Sequence, residues 1–117
     1  MHSPSVDEWS AVKRIPRYLN GTKSHGLQFK RASSLPLQMF CDADWGGDPI
    51  DRRSTSGMAL FLGPNLISWC SRKRKSVSRS STEAEYRAMA EATSEILWVQ
   101  SLLGELHLPV SGSSYLH

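Results

Sequence analysis

Phe40-Cys41-Asp42-Ala43-Asp44-Trp45 and Ser80-Ser81-Thr82-Glu83-Ala84-Glu85-Tyr86 carry the acidic residues around which this chain is organised. The first closes an apolar run of strand character, and the second opens a long amphipathic helical pattern. A carboxylate on a strand facing one on a helix can hold a divalent cation, because hard ions such as Mg²⁺ take oxygen ligands. The pairing points to phosphodiester chemistry. Taken separately, each cluster has a plainer reading. Asp42 and Asp44 would be turn-forming residues at a strand end, and Glu83 an acid complementing the helix dipole, worth about 0.3–1 kcal/mol.

Four motifs occur in order: Cys41-Asp42-Ala43-Asp44-Trp45, Asp51-Arg52-Arg53-Ser54-Thr55-Ser56-Gly57, Leu66-Ile67-Ser68-Trp69 and Ser78-Arg79-Ser80-Ser81-Thr82-Glu83-Ala84-Glu85-Tyr86. In their conjunction the sequence resembles the ribonuclease H segment of copia-type LTR retrotransposon Pol polyproteins, from about Trp9 onward. The resemblance implies an α/β, ribonuclease H-like fold: an antiparallel three-stranded sheet, a covering helix, an N-terminal helix and a fourth strand cut short. It assigns residues 1–22 to the tail of a reverse transcriptase and residues 23–117 to a partial ribonuclease H-like domain.

Carried over by motif, Asp42 matches the strand carboxylate and Glu83 the helix carboxylate, both catalytic and both metal ligands. The two are expected to converge on one rim. Asp44 is the secondary ligand candidate, sharing a face with Asp42 only if the strand stays regular, and Asp48 is a further fallback. Glu85 is left with the dipole role. The resemblance further implies two Mg²⁺ ions about 4 Å apart, activating water and stabilising the leaving 3′ oxygen as RNA paired to DNA is cut. The family's third and fourth carboxylates follow the segment matching Tyr115-Leu116-His117. They are expected to be missing, so the isolated chain is expected not to cleave.

The net charge is +3 and the isoelectric point about 9.1, and the placement of this excess matters more than its size. Arg72, Lys73, Arg74 and Lys75 are consecutive, Arg79 follows, and Arg52-Arg53 lie in an earlier loop. Such a run is either a solvated loop or a rim that neutralises phosphates. Beside an acidic metal site the second reading gains, and the five residues 72–75 and 79 are assigned to nucleic-acid binding. The expected partners are an RNA–DNA hybrid or other nucleic acid and the remainder of the Pol polyprotein, with no membrane.

At 117 residues and 39% hydrophobic content, the chain suits one core rather than two. It has neither an apolar run of roughly 20 residues nor a secretory pattern in its first 30, so an intracellular location is expected. Cys41 and Cys70 lie in apolar runs without zinc spacing and read as small core residues. His2, His25, His107 and His117 are scattered and receive no role.

Along the chain, Ser5-Val6-Asp7-Glu8 is a capping box, Trp9, Val12, Ile15 and Leu19 recur at helical spacing, and Asn20-Gly21 signals a stop. Pro16 should kink or shorten this helix, at about 3 kcal/mol where geometry cannot adapt. Strands are expected at Leu35–Asp42, Ser56–Leu62 and Leu66 to about Lys73, with Gly26–Lys30 as an additional short one and Gly63-Pro64-Asn65 as turn chemistry. The unbroken apolar run from Met58 to Leu62 suggests a strand covered on both faces. A helix from Thr82 to about Leu106 follows, with Glu83 and Glu85 each able to close a capping box. Tyr86, Met89, Ala90, Thr93, Ile96, Leu97, Leu102, Leu103 and Leu106 are expected to face the sheet. Pro109 should end the helix, Ser111–Ser114 form a loop, and Tyr115-Leu116-His117 open a fourth strand.

Three functional readings follow: a ribonuclease segment acting through Asp42 and Glu83, a non-catalytic nucleic-acid-binding remnant acting through its basic run, and an inert fold relic.

Overall fold

The computed structural model describes residues 3 and 5–108, together with the backbone of 115–116. Its elements are α1 (Val6–Thr22), β1 (Leu37–Asp44), β2 (Thr55–Leu62), β3 (Asn65–Lys73), α2 (Ser81–Glu105) and β4 (Tyr115–Leu116). They form an α/β structure in which three antiparallel strands, β3-β2-β1, are flanked by the two-residue β4, parallel to β1. β4 pairs with Gln38 and Met39. The expected loop at 111–114 and the stop at Pro109 lie outside the described residues.

β1 runs two residues beyond its expected end, through Asp44, and stays in regular register: Asp42 faces Gly57 and Asp44 faces Thr55 on β2. The β2–β3 hairpin turns on Gly63 and Pro64. Gly63 has φ +56°, where a Cβ would also lie 3.0 Å from Leu35 Cδ2 and 3.1 Å from the Ser34 carbonyl. Glycine followed by φ-restricted proline suits a type II′ turn, which matches strand twist. The expected strand at 26–30 is absent. Lys30 instead exchanges hydrogen bonds with the side chain of Asn65, its N–H donating to Oδ1 (2.7 Å) and its carbonyl accepting from Nδ2 (3.0 Å), so its backbone is satisfied without a ladder.

The core lies between the sheet and α2: Leu37, Met39 and Leu60 from the strands meet Ala92, Ile96, Val99 and Leu103, with Cys41, Met58, Leu62 and Ile67 packed around them. Here the structure corrects the helical face read from sequence. The buried stripe of α2 begins with Ala84, Ala88 and Ala92 and continues through Ile96, Val99 and Leu103, whereas Tyr86, Met89, Leu97, Leu102 and Leu106 are exposed. Alanines four residues apart form a shallow ridge on which a helix can approach a sheet closely. Along this first half of α2 the larger Tyr86 and Met89 lie on the outer faces, and larger residues enter the buried stripe only from Ile96 onward.

The expectation that β2 is covered on both faces is likewise corrected. Alternation along β1 sends Leu37, Met39 and Cys41 toward α2 and Phe40, Asp42 and Asp44 to the other side, which no described helix covers. On that open face the rings of Phe40 and Phe61 meet edge to face, 5.7 Å apart at 88°, and Trp69 is exposed.

α1 has the expected capping box, with Ser5 Oγ accepting from Glu8 N–H and Glu8 from Ser5 N–H. It continues through Pro16 and past Asn20-Gly21 to Thr22, so neither breaker stops it. It buries no residue and packs against no other described element, leaving Trp9, Val12, Ile15 and Leu19 exposed. α2 ends before Pro109 in a Schellman arrangement. His107, at φ 55°, donates to the Gly104 carbonyl (3.0 Å), and Leu108 N–H donates to that of Leu103 (3.0 Å).

Because the inner face of α2 is defined by small residues, Ala92→Leu should destabilise the fold by about 1–3 kcal/mol in urea unfolding. Tyr86→Ser should stay within about 0.5 kcal/mol, the ordinary range for an exposed site.

Candidate functional site

One end of the sheet gathers the end of β1, the start of β2, the end of β3 and the N-terminus of α2. Three hydrogen bonds stitch it together. Trp45 Nε1 donates to the Ser78 carbonyl (2.9 Å), Gly46 N–H to Ser54 Oγ (3.2 Å), and Arg74 N–H to the Ser54 carbonyl (2.8 Å). Ser54, Ser56 and Ser78 are buried here, polar residues that fasten loops where apolar side chains would find no core. Both acidic clusters therefore reach the same end of the molecule, through backbone and indole contacts.

Asp42 stands exposed on the face turned away from α2, one carboxylate oxygen accepting from Ala43 N–H (2.8 Å). Asp44, two residues on in unbroken strand, shares that face, and its carboxylate lies against Gly47 in the following loop. Glu83 sits in the first turn of α2. Ser80 is the N-cap, its Oγ accepting from Glu83 N–H (3.1 Å). The Glu83 carboxylate reaches back to Arg79 N–H through Oε2 (2.7 Å) and holds the Arg87 guanidinium through Oε1 (2.7 Å). Of the two acids able to close a capping box it is Glu83, three residues after the N-cap, that reaches an unsatisfied amide, and Glu83 rather than Glu85 is the acid of the first turn.

In this arrangement both oxygens of Glu83 are engaged, and Asp42 points away from the helix that carries it. Among the described residues no group of three or more His, Cys, Asp or Glu side chains is placed to hold a metal ion. The side chains as arranged do not fit a two-ion centre.

The basic run divides into two kinds of residue. Lys73 binds the carboxylates of Asp48 and Asp51 (2.9 Å to the latter), pinning the loop after β1 to the end of β3. Asp48 Oδ1 also accepts from Ile50 N–H (2.7 Å) and Asp51 N–H (3.2 Å), an Asx-type turn. Lys73 and these amides hold the Asp48 carboxyl at about 2, below the ordinary 3.8. The hydrogen bonds that Lys73 donates to Asp48 and Asp51 raise its ammonium. Arg74 folds inward, donating to Ser56 Oγ (2.8 Å) and pairing with Glu91. Arg72, Lys75 and Arg79 are exposed and form no ion pair with a described residue. The same holds for Arg52, in the left-handed region at φ 56° with its N–H on the Asp48 carbonyl (2.9 Å).

Sequence reasoning named all five basic residues but had no means of dividing them, because Asp48 lies 25 residues and Glu91 17 residues from their partners. It passed over Arg87, whose i, i+4 spacing from Glu83 was a readable signal. Cys41 and Cys70 form no disulfide, and burial followed by the Asp42 charge pushes the Cys41 thiol upward. No described helix is long and apolar enough to cross a membrane.

Comparison with known proteins gives this end of the sheet a context. The chain is 50% identical over 111 residues, 95% of its length, to the Retrovirus-related Pol polyprotein from transposon RE2 of Arabidopsis thaliana. It is 51% identical over 106 residues to that from transposon RE1 of the same plant. It spans only 8% and 7% of those relatives. It is also 47% identical over 96 residues to Secreted RxLR effector protein 161 of Plasmopara viticola, spanning 68% of it; secretion is an attribute of that protein's name. No family model and no solved structure matches the chain. The similarity at about half identity is to polyproteins of transposable elements. This similarity, at about half identity along nearly the whole chain, supports a segment of a retrotransposon Pol polyprotein.

The Lys73 bridge predicts a specific titration. The lowered Asp48 group contributes stability above its ordinary value of 3.8, lost as pH falls through about 2, and the raised Lys73 group contributes below 10.5, lost at higher pH. In Lys73→Ala, the Asp48 carboxyl followed by NMR should titrate closer to 3.8 than to 2. Separately, Ser80→Ala should lower stability by about 0.5–2 kcal/mol through loss of the α2 cap.

Proposed function

We propose that this chain is the ribonuclease H-like part of a copia-type Pol polyprotein and that residues 1–117 bind nucleic acid through the loop end of the sheet without cleaving it. The observation that carries the reading is its similarity, along almost the whole chain, to Pol polyproteins. The topology supports it: three antiparallel strands, a helix across them, and a fourth strand returning parallel to β1 are compatible with the ribonuclease H-like arrangement. On this reading α1, which packs on nothing described, belongs with the reverse transcriptase that leads into the module.

Asp42 is then the strand carboxylate of the family and Glu83 the helix carboxylate. Asp42 is accessible, but Glu83 is committed to Arg79 and Arg87, so no hydrolytic step follows from these residues as arranged. What they present instead is a cationic surface. Arg72, Lys75 and Arg79 are the members of the basic run with charge to spare, and unpaired side chains of this kind neutralise phosphates without reading bases. An RNA–DNA hybrid is the expected partner.

Two measurements test this. Binding of the chain to a labelled hybrid should weaken steeply with salt, and Arg72→Ala/Lys75→Ala/Arg79→Ala should lower the slope of log affinity against log salt by about 2–3. Lys73→Ala, whose charge is already taken, should leave that slope nearly unchanged. Incubated with the hybrid and Mg²⁺, residues 1–117 should yield no chelator-sensitive cleavage. Robust cleavage lost in Glu83→Gln would overturn the non-catalytic half of the reading, and an unaltered salt slope in the triple variant would overturn the binding half.

A further inference from the structure

We propose that Trp45 is a stacking platform for an unpaired nucleobase, with Arg52 and Arg79 taking the phosphates on either side of it. The inference rests on the nucleic-acid reading above and adds to it a site that contacts bases. Trp45 follows the last residue of β1 and is 44% exposed. Its indole N–H, the one polar atom of the side chain, is spent on the Ser78 carbonyl (2.9 Å), so the side chain offers carbon surface to solvent while its edge is anchored. A half-exposed, pinned aromatic ring loses little conformational freedom when a base covers it.

The neighbours supply the charge. Arg79 is next in sequence to the anchoring Ser78, and its guanidinium forms no ion pair with a described residue. From the other side, the guanidinium of Arg52 lies beside Gly46, with Nε and Nη2 each 3.8 Å from the point a Cβ would occupy there. A Cβ at 46 would only touch the arginine at ordinary contact distance, and it is the φ of +61° there that favours glycine. Arg52 keeps this place through a left-handed backbone conformation, uncommon for a residue with a Cβ and found disproportionately at functional sites. Of the nearby acids, Asp48 and Asp51 are taken by Lys73 and Glu83 by the Arg87 guanidinium and the Arg79 N–H, which leaves the Asp44 carboxylate against Gly47 as the opposing charge.

Trp9 and Trp98 stand on helices and Trp69 in mid-strand; none sits between two loops that each bring an unpaired arginine. An aromatic face with flanking cations is the combination by which proteins hold single strands, with stacking tolerant of base identity.

The test compares four oligomers of equal length: oligodeoxythymidylate, oligouridylate, and the abasic backbone of each. The intact chain should bind the base-bearing oligomers about tenfold more tightly than their abasic counterparts, the equivalent of one stacked base. Trp45→Ala should erase that preference while leaving abasic binding unchanged. Trp45→Phe, which keeps a ring but loses the bond to Ser78, should retain most of it, and Arg52→Ala should weaken all four. Circular dichroism and urea midpoints establish that each variant is folded. If the wild-type chain binds abasic and base-bearing oligomers alike, or folded Trp45→Ala keeps the preference, the stacking site is overturned and the electrostatic reading stands. If the wild-type chain binds none of the oligomers and no hybrid, both fall together. A preference confined to the deoxy or the ribo pair would assign the site to that strand type.

Discussion

The close approach of α2 to the sheet is the constraint on which the rest of the molecule depends. Ala84, Ala88 and Ala92 give the first half of α2 a buried face of single methyl groups, and Ala92 with Ile96, Val99 and Leu103 covers the fully buried Leu37, Met39 and Leu60. With the inner face so defined, the N-terminus of α2 has to emerge where β1 and β3 end. Trp45 and Ser78 meet for that reason, and two acidic clusters almost forty residues apart come to one end of the sheet.

At that end, charges are mostly spent on holding loops. Lys73 closes the Asp48–Asp51 turn, Arg74 ties β2 to α2 through Ser56 and Glu91, and Arg87 braces Glu83. Exposed ion pairs of this kind are individually weak. Their consequence here is positional: they commit Lys73 and Arg74 of a conspicuous basic run and leave Arg72, Lys75 and Arg79 as its effective part, with Arg52 beside them from an earlier loop. Glu83 is the acidic counterpart of the same effect, since a residue placed to cap a helix and pair with the next turn has no lone oxygen left over.

Similarity to a short segment of Pol polyproteins agrees with the surfaces that this chain leaves open. It spans less than a tenth of the transposon relatives it resembles. The apolar stripe of α1, the outer stripe of α2 from Tyr86 to Leu97 and the Phe40–Phe61 side of the sheet are all exposed. The Schellman motif at His107 and the hairpin turn at Gly63 show that the elements are individually well terminated, so the open faces are not the result of frayed local structure.

The sequence by itself determined what depends on neighbours along the chain. The capping box at Ser5 and Glu8, the three antiparallel strands, the Gly63-Pro64 turn and the position of both acidic clusters were all legible, because capping, turn chemistry and alternation act over a few residues. Motif order likewise pointed to the Pol family. What only the tertiary structure decided was which face each element buries and which charges remain available. Tyr86 and Leu97 carry far more apolar surface than Ala88 and Ala92, yet the alanines are inside, because the space between a helix and a sheet is set by contact distance. Lys73 and Arg72 are adjacent and chemically alike in sequence. They differ because alternation sends them to opposite faces, one of which holds Asp48 and Asp51.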